Sequence, residues 1–270
     1  MYKKRFSFLA ILCLGTLMIM GNSEVSNFYI KSEGIDIDGD MLIDKVSYYN
    51  YDKNGNIISQ EYDKNGDGSI DQISKYTYDE NGHMLSETFD HNGDEKPDSI
   101  TNYFYDEYGK KIVEHYDWDA DGVADEVSIF TYDSHDRLIM VVSDQGIDGN
   151  INEVCRYRYY KNGDIKSKSC DRGADGHVDV IISYVYDDRG YLSKKSCDQN
   201  GDGIVDVIFS YRYDFQGNIV DEDVNYKDRF MNEQKIYRYT YGENGKVIKK
   251  DVKFNGQKRV KTFYYRWKKI

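Results

Sequence analysis

Apolar and polar residues alternate in short runs along this chain, and the runs come in pairs. In the stretch Asp63 to Phe89, an acidic loop leads into an alternating run ending Tyr76-Thr77-Tyr78-Asp79. Glu80-Asn81-Gly82 breaks the alternation, and a second run, Met84 to Phe89, leads to the next acidic loop. A period of two puts alternate side chains on opposite faces of a strand, and Gly and Asn tolerate the positive φ of a tight turn. Each unit is therefore predicted to be a β-hairpin with strands of about 6–8 residues.

The unit recurs. Its aromatic marker stands at Tyr51, Tyr78, Tyr105, Tyr132, Tyr159, Tyr186 and Tyr213, always 27 residues apart, and then at Tyr241 after 28. A fixed period of this size signals a repeat architecture in which neighbours stack to bury what one unit cannot. A second aromatic two residues earlier (Tyr49, Tyr76, Tyr103, Phe130, Tyr157, Tyr184, Tyr211, Tyr239) puts both rings on one face. The resulting ladder reads as packing for the sheet rather than as a platform for sugars or bases. Pro97 is the only proline, as uninterrupted strand pairing requires. The predicted fold is all-β: tandem 27-residue hairpins over residues 34–252 in one elongated, twisted antiparallel sheet. A lead-in at 24–33 precedes it and a capping strand at 253–270 follows.

Residues 1–23 read differently. Lys3, Lys4 and Arg5 precede an apolar run from Phe6 to Met20, and Gly21-Asn22-Ser23 offers small residues for cleavage. This is the pattern of a secretory signal peptide, too short for a spanning helix. Cys13 raises a lipoprotein alternative, but Ala10-Ile11-Leu12 lacks the small residue expected before a lipidated cysteine. The expected location is thus secreted or cell-surface, with no membrane span in the mature chain. Removing the leader's three basic residues takes the formal charge from −12 to −15. That balance argues against nucleic acid, whose phosphates need a Lys/Arg face. The 27 Tyr and 11 Phe argue against disorder.

The acidic loops carry the candidate chemistry. Calcium takes six to eight oxygens, and a flexible loop supplies them from side chains at positions 1, 3, 5 and 9 and a carbonyl at 7. Asp63, Asn65, Asp67 and Asp71 fit that spacing, with Ser69 offering the carbonyl. So do Asp117, Asp119, Asp121 and Asp125 with Val123, and Asp198, Asn200, Asp202 and Asp206 with Ile204. Asp36, Asp38, Asp40 and Asp44 keep the ligands, but Met41 replaces the turn glycine. Asp90, Asn92, Asp94 and Asp98 have Glu95 there and Pro97 beside it, which should strain the turn. Asp171, Asp175 and Asp179 have Gly173 at position 3, and Asp144, Asp148 and Asn152 form the weakest copy. Where another copy should begin stands Tyr226, and Asp228, Asn232 and Gln234 make no cation site.

Such loops are also good turn sequence. Seven copies in register with 22 aspartates at ligand positions point instead to several bound Ca²⁺ ions. Seven ions would bring +14 against the mature −15. Position 12 holds Ser47, Ser74, Thr101, Ser128, Cys155, Ile182 or Phe209, never the Glu of an EF-hand, so the ninth-position Asp must close the site.

Tyr76-x-Tyr78-Asp79-x-x-Gly82, with its copies at Tyr184 to Gly190 and Tyr211 to Gly217, resembles the YD repeats of Rhs and teneurin-type proteins. The loop Asp198 to Asp206 is similar to calcium loops of FG-GAP and thrombospondin type 3 repeats. The resemblance covers roughly residues 34–270 and implies a spiralling sheet of hairpins, in some such proteins closed into a shell. The unit is too short for a four-stranded propeller blade, and no toxin or self-cleaving segment follows the repeats within the sequence.

Cys155, Cys170 and Cys197 follow the leader. Cys170 and Cys197 are equivalent residues one unit apart, beyond disulfide reach, which leaves Cys155 with Cys170 as the one candidate pair. The spacings and the scattered histidines do not suit zinc. The functional expectation is a non-enzymatic, calcium-stabilised adhesion or interaction scaffold for a protein or glycan ligand. The alternatives are part of a toxin-encapsulating shell, or a polysaccharide-active enzyme with paired carboxylates. Against the enzyme, every acidic pair belongs to a repeated loop, whereas catalysis needs one unique constellation.

Overall fold

The computed structural model describes residues 31–37, 40–228, 231–242, 245–254 and 261–265. The expected leader, Asp38 and most of the expected capping segment lie outside these residues. The alternating runs all become strands, and there is no helix among the described residues. The strands are β1 (Ser32–Ile35), β2 (Lys45–Tyr51), β3 (Ile57–Asp63), β4 (Gln72–Tyr78), β5 (Met84–Asp90) and β6 (Ser99–Tyr105). Next come β7 (Lys111–Asp117), β8 (Glu126–Tyr132), β9 (Leu138–Gln145), β10 (Glu153–Tyr159), β11 (Ile165–Arg172) and β12 (Val180–Tyr186). The series ends with β13 (Leu192–Asp198), β14 (Val207–Tyr213), β15 (Ile219–Asp228), β16 (Met231–Tyr241), β17 (Val247–Phe254) and β18 (Lys261–Tyr264). Each pairs antiparallel with the next, so the sheet is a single meander of 18 strands in sequence order.

Two kinds of connection alternate along it. The shorter one follows the tyrosine marker. At Asp79 the side-chain Oδ1 accepts the N–H groups of Asn81 and His83 at 2.9 and 2.8 Å, and Gly82 takes the positive φ of 86° that closes the turn. The marker tyrosine itself reaches back one unit. Tyr78, Tyr105, Tyr132, Tyr159 and Tyr213 donate their hydroxyls to the carbonyls of Ile57, Met84, Lys111, Leu138 and Leu192 at 2.7–2.9 Å. Tyr241 does the same to Ile219. Each bond contributes roughly 1 kcal/mol and ties one hairpin to the previous one.

The sheet has little conventional core. Among the described residues only Val46, Ile73, Cys155, Cys170, Val207, Val224 and Val252 are buried apolar side chains. The aromatic ladder does the packing, with long polar side chains as its cross-strand partners. Tyr76 faces Glu87, Tyr103 faces Glu114, Tyr157 faces Lys168, Tyr184 faces Lys195 and Tyr239 faces Lys250. Lysine stems lie along the rings: Lys168 Nζ is 5.6 Å from the Tyr157 centroid and Lys250 Nζ is 4.4 Å from that of Tyr237. Burial, with Tyr49 and Tyr76 alongside, pushes the Tyr62 phenol up to about 12.

The strip curls until its ends meet. The Tyr264 amide donates to the Ile37 carbonyl at 3.0 Å, and Lys246 pairs with Glu33. The hairpin-turn edge of the last unit thus abuts the acidic-loop edge of the first, as in a lock washer. At about 4.8 Å per strand, one such turn is roughly 80 Å around.

Candidate metal centres in the acidic loops

The longer connections are the seven acidic loops, and one hydrogen-bond scheme serves them all. The position-1 Oδ2 accepts the N–H of position 6: Met41, Gly68, Glu95, Gly122, Gly149, Gly176 and Gly203 donate to Asp36, Asp63, Asp90, Asp117, Asp144, Asp171 and Asp198 at 2.7–3.0 Å. The position-9 side chain accepts the N–H of position 2, as Asp71 does from Lys64, Asp125 from Trp118, Asp179 from Arg172 and Asp206 from Gln199 at 2.6–2.7 Å. Asp44, Asp98 and Asn152 repeat the pattern. Positions 3 and 5 close local turns: Asn65 accepts from Asp67, Asn92 from Asp94, Asn200 from Asp202, and Asp119 from Asp121. Asp40, Asp67, Asp94, Asp121, Asp148, Asp175 and Asp202 each accept the N–H two residues on.

Position 1 is buried in six of the seven loops, Asp144 being half-buried. Asp36 and Asp63 are 1% and 2% exposed, and Asp90, Asp117, Asp171 and Asp198 are buried too. A carboxylate tolerates such a place only with donors around it. For Asp90 burial pushes the carboxyl up, but N–H groups from Asn92, Gly93, Glu95 and Asp94 outweigh it and hold it below the usual range. The exposed Asp67, Asp148 and Asp175 are lowered by the N–H groups of Ser69, Asn150 and His177. These four carboxylates therefore stay ionised at neutral pH.

Positions 4 and 6 of the fully described loops take positive φ, as do Gly146 and Gly173 at position 3. At position 6, Met41 (80°) and Glu95 (70°) adopt the conformation of the glycines at 68, 122, 149, 176 and 203, so the scheme holds where strain is expected. At position 4 the residues are Gly66, Gly93, Ala120, Ile147, Ala174 and Gly201. A Cβ on Gly66, Gly93 or Gly201 would lie 2.1, 2.1 or 1.8 Å from the carbonyl oxygen of Ile43, Ile70 or Val178 in the preceding loop. In the loops with Gly at position 3, contact is made instead by Gly146 and Gly173, whose N–H groups donate to the Asp125 and Asn152 carbonyls at 2.6 Å. The acidic loops thus stack on one another through their backbones. Sequence spacing gave no hint of this contact beyond the glycines themselves.

Ile147, at φ 50° and 47% exposed, is the most strained of the position-4 residues, because a β-branched side chain fits left-handed backbone poorly. Ile147→Gly is expected to stabilise the chain by about 1 kcal/mol, raising the melting temperature by about 2–4 °C. Gly201→Ala is expected to lower it, because the new methyl meets backbone. Thermal unfolding of both variants checks the pair of signs.

One loop brings its acids together. Oxygens of Asp117, Asp119 and Asp125 all lie within 4.8 Å of one another, the only such all-carboxylate trio among the described residues. Two oxygens bound to one calcium at 2.3–2.6 Å can be no farther apart than about 5 Å, so this trio fits such an ion. Glu153 with Cys155 and Cys170 is also close, but these sulfurs are bonded to each other, which removes them as ligands. The loops at Asp63, Asp90 and Asp198 have Asn at position 3, and Asp171 has Gly, so fewer acids converge there. In the loop at Asp144, Oδ1 of Asp144 is buried without a hydrogen-bond partner.

No protein-family model matches the sequence, and no curated protein matches it. Among solved structures, a crystal structure of TcdB2-TccC3 superposes with a TM-score of 0.42 at 16% identity, over 80% of this chain and 12% of that one. A porin-like protein from Bacteroides uniformis gives 0.44 at 13% identity, over 89% of this chain and 96% of that one. The chain therefore spans about an eighth of the length of the TcdB2-TccC3 chain it matches.

Proposed function

We propose that this chain is an exported, non-enzymatic repeat scaffold, stabilised by calcium and presenting its surfaces to a protein or glycan ligand. The observation that carries the calcium reading is the Asp117, Asp119 and Asp125 trio, three carboxylates at the mutual spacing of one calcium's ligands. Asp121 and the Val123 carbonyl complete the donor set there by position. An ion in such a site supplies charge neutralisation and a rigid loop, not reaction chemistry. The disulfide between Cys155 and Cys170 supports export, because such bonds persist in oxidising compartments. No helix among the described residues is long and apolar enough to cross a membrane. The repeated acids support a scaffold over an enzyme, since each pair recurs in equivalent loops.

Loops of this kind without a position-12 Glu are expected to bind calcium at about 10⁻⁴–10⁻³ M. Every filled site adds stability by mass action. Calorimetric titration should show several ions. Asp119→Ala should remove one of them and lower the melting temperature in millimolar calcium but not in chelator. A wild-type melting temperature that does not move on chelation overturns the calcium reading.

A further inference from the structure

On the face that carries the aromatic ladder, Glu87, Glu114 and Glu222 stand at the same place in the repeat, separated by whole multiples of 27 residues. The chain itself supplies a cation to the second. Lys111, on the same strand β7, pairs with Glu114, and its Nζ lies 5.5 Å from the Tyr103 centroid and 4.4 Å from that of Phe130. The Tyr116 hydroxyl bonds the other carboxylate oxygen, and Glu114 is only 6% exposed. The result is an ammonium cage with a ring on the strand before, a ring on the strand after and a carboxylate between them. At the third place Glu222 accepts the Tyr239 hydroxyl at 2.9 Å, and Lys250 Nζ is 5.3 Å from that ring.

At Glu87 the cage is built again without its cation. Tyr76 on β4 and Tyr103 on β6 flank Glu87 on β5, as Tyr103 and Phe130 flank Glu114. Met84 stands where Lys111 does in the next unit, one heavy atom shorter and uncharged, and Phe89 stands in place of Tyr116. Glu87 accepts the Tyr103 hydroxyl at a long 3.3 Å, and no cation among the described residues pairs with it. Burial pushes its carboxyl up, as it does a charge without a counter-ion. Glu87 is half-buried where Glu114 is buried, so its carboxylate can still be reached. Lys75 and Thr77 on the opposite face are exposed while the ladder rings are half-buried, which puts the ladder on the sheltered inside of the curl.

We infer that Tyr76, Glu87 and Tyr103 form a binding site for an alkylammonium group, filled by a lysine side chain on an extended segment of a partner protein. The chain's own Lys111 is the template, since it shows this arrangement of rings and carboxylate holding a lysine ammonium one unit away. A group that enters from the inside of the curl must be slender, and a four-carbon stem passes between two rings with its charge at the tip. Within the scaffold reading the ligand is then a protein, but the cage itself owes nothing to calcium.

The probe is n-butylammonium, the amine of the lysine side chain, titrated at constant ionic strength against the tyrosine ring resonances of the chain from Glu24 onward. Saturable binding is expected at about 1–10 mM. Met84→Lys installs the residue of the next unit, whose ammonium should fill the cage and weaken butylammonium binding by about tenfold or more. Glu87→Gln installs the residue that Gln60 supplies one unit earlier and should weaken it as much, so both variants suit the fold. Glu80→Gln makes the same change of charge on an exposed hairpin turn and should bind like the wild type. A wild type that does not saturate overturns the inference, as does a Met84→Lys or Glu87→Gln chain that binds like the wild type. Equal loss in Glu80→Gln marks the response as bulk charge and overturns it too. Nα-acetyl-lysine amide should bind like butylammonium, and glucosamine, whose ammonium sits on the ring without a stem, should not; glucosamine binding the tighter of the two overturns the assignment to lysine. The titration is expected to run alike in millimolar calcium and in chelator, so this inference and the calcium reading fail separately.

Discussion

Asp198→Ala is expected to destabilise the chain by about 3–5 kcal/mol even in chelator, a large effect shared by the position-1 aspartates. Asp198 is 5% exposed and accepts three N–H groups, from Asn200 at 3.3 Å, Gly201 at 2.7 Å and Gly203 at 2.8 Å. Alanine removes two strong charge-assisted bonds from a part-buried loop, at about 1.5–3 kcal/mol each, the 3.3 Å contact adding little. Asp202 is exposed and its chief bond is to the Ile204 N–H, so Asp202→Ala in chelator should cost less than about 1 kcal/mol. Urea unfolding of both variants in chelator separates the loop's structural acid from its ion-facing one. Equal midpoints for the two sink the argument.

The same chemistry fixes a pH dependence. The folded-state carboxyl of Asp90 is held below its ordinary value, so its contribution is fully present above the unfolded pKa of about 4. It is lost as pH falls through the lower folded value. The stability that Asp90 lends its own loop should therefore decline as pH falls below about 4.

Much of this architecture is legible in the sequence because it is local. Alternation, the marker tyrosines and the Asx-Gly turns each act within one unit, and the register of 27 follows from them. The loops are legible as loops, but the division of labour inside them is not. Spacing alone treats the four acids of a loop as equivalent ligands, whereas the fold buries position 1 as an acceptor of backbone N–H groups and clamps position 9 onto position 2. Nor does spacing show that Tyr132 reaches the Lys111 carbonyl, or that Gly66 seats against Ile43 in the loop before it. The curl that brings Tyr264 to Ile37 accumulates over the whole sheet and has no local signature.

The second large effect is expected where the ladder thins. Across β2–β3, β4–β5 and β6–β7 the pairs Ser47 with Tyr62, Ser74 with Phe89 and Thr101 with Tyr116 put one ring against one small residue. Between β8 and β9 the pair is Ser128 with Ser143, and the ring is gone. Between β10 and β11 the pair is Cys155 with Cys170, bonded to each other. A bridge closing 15 residues restricts the unfolded chain by about 3 kcal/mol. In a repeat array, stability is a sum of units and nearest-neighbour interfaces, so a weakened centre lets the array open there first. Replacing both cysteines by alanine should lower the melting temperature by about 6–12 °C. It should also speed amide exchange in β9 to β12 ahead of β4 to β7. Exchange mass spectrometry on the double-alanine chain is the check. If protection in β9 to β12 matches the wild type, the bridge is not what holds the centre of the array together.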